Sequence, residues 1–171
     1  MKIKQLYFLG VCAMFLGCND VDDGSFVEPI TLYEKVNGSW YLMNLKMTDE
    51  IAKSGGLTPV DQNISSYFNF PDFMITLNVD EKNRPTTYEV SGDVPALFLK
   101  KGYWALSNDF QLTGGEAVKL YLYKDAAKSQ KIDELNFVSV PGGQKEMELQ
   151  LKRTSGGTPF VSYNYKLKAF E

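Results

Sequence analysis

The sequence predicts an all-β fold, an antiparallel up-and-down barrel of eight to nine strands preceded by a short helix. Three observations carry that expectation. Nearly every segment beyond residue 28 alternates apolar and polar residues with period two, the pattern of a sheet with one wet face. Turn residues recur at short intervals between these segments. Helical signals are confined to two short stretches. Short hairpin connections favour a meander that closes on itself, because closure removes exposed sheet edges. A two-sheet sandwich is the alternative.

The chain opens on a segment that carries an address. Lys2 and Lys4 are followed by an apolar run from Leu6 to Leu16, then by Phe15-Leu16-Gly17-Cys18. That order is the layout of a bacterial secretory signal. A small residue directly before cysteine makes it the lipoprotein version, in which Cys18 is acylated and becomes the N-terminus. The run falls short of the about 20 apolar residues that a membrane-spanning helix needs. An ordinary signal cut elsewhere is the alternative. Residues 1–17 are then the signal peptide, 18–28 a lipidated flexible tether and 29–171 the barrel domain. Loss of Lys2 and Lys4 takes the formal charge from −3 to −5. The acidic run Asn19-Asp20-Val21-Asp22-Asp23-Gly24 resembles the export signal of Bacteroidetes-type lipoproteins. The resemblance implies a protein held in the outer membrane by its lipid and facing the cell exterior.

The elements follow in order. Pro29 to Val36 suits about two helical turns, with Asn37-Gly38 as a left-handed stop. Strands are expected near Ser39–Met47, Ser65–Phe70, Phe73–Asp80, Thr86–Ser91, Tyr103–Asn108, Ala117–Lys124, Ile132–Val140, Lys145–Arg153 and Phe160–Phe170. Pro71 either separates two of these or bends one. Thr48 to Gly56 suits another helical turn or two, inside a long loop that runs to Asn63.

Gly38-Ser39-Trp40, after a short helix and at the start of the first long strand, resembles the opening of lipocalins. The nearer likeness is to uncharacterised lipocalin-like (calycin-type) lipoproteins of Bacteroidetes. The resemblance makes Gly38 and Trp40 structural, with Trp40 plugging the closed end of an eight-stranded barrel under a basic side chain. Arg84 and Arg153 are the sole arginines, so Lys166 or Lys168 is the expected substitute. The Thr-Asp-Tyr motif of classical lipocalins is absent. Gly38-Ser39-Trp40-Tyr41-Leu42 recurs as Gly102-Tyr103-Trp104-Ala105-Leu106, either as two binding halves or as two strands that each need a bulky interior residue.

Composition excludes much chemistry. Histidine is absent and the two cysteines are Cys12 and Cys18. Zinc sites of His or Cys and imidazole-based nucleophilic systems are therefore unavailable. Glu146 and Glu148 share one strand face but alternate with Met147 and Leu149, which marks a solvated wall rather than a glycosidase pair. No metal site or cofactor is expected, and a net negative chain without a basic cluster argues against nucleic acid. The expected role is a non-enzymatic binding module for a small glycan or apolar ligand. The alternative is an accessory subunit docking onto an outer-membrane protein assembly. Candidate ligand residues are the aromatics Trp104, Tyr103, Phe98, Tyr121 and Tyr123, since such rings stack on sugars and apolar surfaces. So many bulky residues favour a shallow pocket at one mouth over a deep calyx. Its wall is expected from Trp104, Phe98 and the Thr48–Asn63 loop.

Overall fold

The computed structural model describes residues 28–111 and 114–170. The signal segment, Cys18 and the tether through residue 27 lie outside the described residues. Thr31 starts helix α1 (Leu32–Val36) with a capping box: its hydroxyl accepts from the Glu34 amide while the Glu34 carboxylate accepts from the Thr31 amide. Gly38 then turns the chain at φ +111°, a conformation that favours glycine.

Nine strands follow: β1 (Gly38–Asp49), β2 (Asp61–Asn63), β3 (Met74–Val79), β4 (Pro85–Ser91), β5 (Lys101–Leu106), β6 (Lys119–Tyr123), β7 (Lys131–Ser139), β8 (Glu146–Ser155) and β9 (Thr158–Ala169). Strands β3 to β9 pair in sequence order, each antiparallel to the last, and β9 pairs back onto β1. The result is a closed eight-stranded barrel, with β2 as an extra strand on β1. The barrel, its core and α1 all fall between Leu32 and Ala169, so this segment carries its own closed core.

The alternation seen in the sequence sorts the walls. Met147, Leu149 and Leu151 of β8 face inward, as do Tyr165 and Leu167 of β9 and Leu120 and Leu122 of β6. An eight-stranded barrel is just wide enough for such side chains to fill it. Glu146 pairs with Lys166 at 3.1 Å and Glu148 accepts from Asn164, so both carboxylates lie on the outer wall as a solvated face.

α1 closes one end. Its Leu32 amide donates to the Asp109 carbonyl, and Tyr33 packs on Trp104 with ring centroids 5.6 Å apart. Trp40 is buried beside it, with Nε1 donating to the Val36 carbonyl at 2.8 Å. Of the two expected basic partners, Lys166 pairs with Glu146 and Lys168 lies on the outward phase of β9 opposite Tyr41, while the arginines are engaged with Asp80 and Asp133. Trp104, its sequence echo, donates Nε1 to the Asn78 carbonyl at 2.9 Å. Both tryptophans are thus interior packing residues that satisfy their one polar atom on a backbone carbonyl. In the second copy, Gly102 is needed because a Cβ there would collide with the Tyr123 carbonyl oxygen.

One expectation changes. Ser65–Phe70 is not a strand; the short β2 precedes it, and the chain then leaves the sheet until a 3-10 turn at Phe70–Asp72. Phe68 and Asn69 are left-handed, at φ 53° and 60°, which breaks any extended run. The helix expected between Thr48 and Gly56 is α2 (Glu50–Ser54), capped by the Asp49 side chain. It lies on the outer wall of β9, where Ser162 donates to Glu50 at 2.6 Å.

Trp40→Ala should destabilise the domain by about 3–5 kcal/mol in denaturant unfolding, as for other buried aromatics. A parent-like transition would refute the plug assignment.

Candidate ligand-binding mouth

The end opposite α1 is shaped by two irregular segments. The first leaves the edge of β1 at Ser65, whose hydroxyl accepts from the Leu45 amide at 2.7 Å, and returns at Phe73, whose carbonyl accepts from the Leu42 amide at 3.1 Å. Between them the left-handed pair throws the Phe68 ring outward, 71% exposed. A bulky residue in that conformation is uncommon and costs local strain that the surroundings must hold. The second segment is the β4–β5 loop, residues 92–100. Its Gly92 sits at φ +93° against the Asp72 carbonyl, where no Cβ fits, and its Asp93 carbonyl accepts from Asn69. The two segments are therefore joined along one side and part along the other.

A groove of about 510 Å³ opens between them. Its floor is Met47 of β1 and Tyr163 of β9, facing inward at the barrel mouth. Ile64, Tyr67, Phe68 and Phe70 form one wall, and Pro95 and Leu97 the other. Gln62 supplies the one side-chain amide of the lining. Below it the barrel is sealed, because Phe98 tucks in from the loop and sets its edge against Tyr165 at 6.0 Å, with Phe73 on the same ring at 5.3 Å.

A charged pair sits beside the groove. Asp133 on β7 and Arg153 on β8 continue the inward parity of Leu135 and Leu151 and pair with each other. The same guanidinium donates to the Leu97 carbonyl. Tyr165 lies nearby, its phenol pushed up by burial, and burial likewise raises Tyr88, which donates to the Leu99 carbonyl at 2.8 Å.

The aromatics named from the sequence do not meet here. Trp104 is fully buried, 0% exposed, at the closed end, opposite the Thr48–Asn63 loop, so it cannot form the pocket wall expected of it. Phe98 is buried beneath the groove rather than lining it. Tyr103 and Tyr123 are cross-strand partners on the outer wall, with Tyr121 beside them. Lys131 covers the Tyr121 ring, with Nζ 4.7 Å from its centroid, and Lys128 reaches across β5 to the Pro85 carbonyl. The loop does contribute, through Gln62. Sequence reasoning missed Met47, Ile64, Tyr67, Phe68, Phe70, Pro95, Leu97 and Tyr163. The signal that marked the rim was Phe68-Asn69-Phe70-Pro71, two aromatics beside a turn residue and a proline. Among the described residues, no three His, Cys, Asp or Glu side chains gather as metal ligands would.

The Thr48 hydroxyl and the Lys46 ammonium hold Asp61 below its usual value of 3.8, and so tie β2 to β1. A lowered folded pKa contributes stability above pH 3.8 that is lost as pH falls through the folded value. Amide exchange at Ile64 and Asp49 should therefore accelerate selectively on acidification below that pH, and Asp61→Asn should abolish the selectivity.

No curated protein and no solved structure matches the chain. Residues 17–168 match a family described as a domain of unknown function, DUF5004. That match takes in the closed barrel, both rim segments and the mouth between them, and the chain belongs to the DUF5004 family.

Proposed function

We propose that the protein is a lipid-anchored lipoprotein of the outer membrane, facing the cell exterior, that binds a small apolar ligand at the barrel mouth without catalysis. The observation that carries this reading is the solvent-open groove of about 510 Å³, within the 300–1,000 Å³ usual for ligand sites. Gln62, Tyr67 and Tyr163 are the lining residues with polar side-chain atoms. A sugar would bury more hydroxyls than these can satisfy, so the lining favours an apolar ligand over a glycan. Phe68, exposed and held in a strained conformation, is the feature a structural role leaves unexplained.

The lipid anchor rests on Gly17-Cys18 and on a family match that begins at residue 17. α1 covers the closed end, so a lipid on Cys18 would tether the barrel from the end opposite the mouth. The accessory-subunit alternative draws on the exposed Ile51 and Leu57, which follow β1 at the mouth end.

Apolar molecules of about ten carbons should raise the melting temperature of the chain from Asn19 to Glu171, while oligosaccharides should not. Phe68→Ala should melt like the parent and bind about tenfold more weakly, equivalent to about 1.4 kcal/mol. Tryptophan emission should stay unchanged on binding, because Trp40 and Trp104 lie at the other end. An apolar panel that shifts nothing, with co-purification of an outer-membrane partner, would favour the accessory reading.

In cells, Cys18→Ser should leave an uncut or soluble precursor. Mature-sized protein still partitioning with membranes would refute the anchor.

A further inference from the structure

Leu97 separates the groove from the charged pair. Its side chain lines the groove and its carbonyl oxygen accepts from Arg153 Nη2. Arg153 Nη1 is held by Asp133, whose side chain is mostly buried, while 34% of the arginine side chain stays exposed. An inward-facing arginine is costly in a barrel unless its charge is matched, and Asp133 matches it, so the pair is neutral as a unit. Guanidinium also has five N–H donors in a fixed fork, which demand acceptors once desolvated. Here one acceptor comes from a loop. The Leu97 carbonyl belongs to residues 92–100, between β4 and β5, and this bond is made to a side chain rather than to a strand ladder.

We propose that Arg153 is the polar anchor of the mouth, and that the ligand is an apolar chain ending in an uncharged acceptor, an ester or amide carbonyl, which accepts from the guanidinium N–H groups that Asp133 and Leu97 leave to solvent. This deepens the mouth-binding function and rests on it. The charge balance selects the end group. A neutral carbonyl adds one acceptor and leaves the Asp133–Arg153 pair balanced. A carboxylate adds a surplus negative charge beside Asp133, and a cationic end meets the guanidinium. A plain alkane can use the groove but leaves those N–H groups to water. Arg153 therefore sets specificity, while Met47, Ile64 and Phe70 supply the apolar contact.

The test compares methyl octanoate, octanoate and nonane on the chain from Asn19 to Glu171 by calorimetry at pH 8. Methyl octanoate should bind about tenfold or more tightly than nonane and than octanoate, the scale of one hydrogen bond to a charged group. Hydrophobicity alone predicts the reverse order for ester and alkane, because nonane is the more apolar. Arg153→Gln combined with Asp133→Asn, which removes both charges together, should bring the ester down to the level of nonane and leave nonane binding unchanged. Equal binding of ester and alkane by the parent overturns the anchor and leaves the mouth reading standing. Octanoate binding as tightly as the ester overturns the neutral end group. Failure of all three to bind overturns the anchor and the mouth reading together. The parent's order of affinities decides the matter even if the double variant does not fold.

Discussion

The fold depends on β1 holding partners along both edges. One edge carries β9 from Trp40 to Asp49 and so closes the barrel. The other carries β3 at its start and β2 near its end, with a gap between them. Closure leaves the barrel no free edge to pair with a neighbour. The gap is where the mouth is made, because the returning chain is free of the ladder between Ser65 and Phe73 while both its ends stay bonded to β1. A register slip along β1 would turn Trp40, Leu42 and Leu45 out of the core and move the rim with them.

The barrel was legible because its period is local. Each of Leu149, Leu151, Tyr165 and Leu167 is inward for the same reason that it alternates with polar neighbours, and hairpin turns then leave few ways to connect the strands. Trp40 was legible as well, since Gly38 and the preceding helix fix its place. The mouth was not. Tyr67 and Phe68 look like strand residues, and their period matches until Asn69 follows Phe68 into the left-handed region. That conformation is held by tertiary contacts, among them the Asn69 bond to Asp93, and local sequence does not encode it.

The same limit explains Trp104. From sequence, a tryptophan just past Lys100-Lys101-Gly102 sits near a strand start and hence near a barrel end. The strand does begin at the mouth, but it runs inward, and the indole finds its acceptor at Asn78 and its ring partner in Tyr33. A position along a strand predicts depth only once the tilt and pairing of its neighbours are known. Conversely, nothing in the sequence pairs Asp133 with Arg153. Their significance lies in parity, since each falls on the inward phase of its strand, and in the carbonyl that a distant loop brings to meet them.

The segment between Ser65 and Phe73 has a consequence for how such a barrel can diversify. Its two ends are fastened to the same strand by a side-chain bond and a backbone bond, and the barrel's hydrogen-bonded ring does not pass through it. Its exposed residues, Tyr67 and Phe68 among them, can change without shifting any strand, much as a jewel can be reset without recasting the ring. Chains with this architecture therefore have a place where new chemistry is inserted at little structural cost, and loop exchange there offers a route to barrels with chosen ligands.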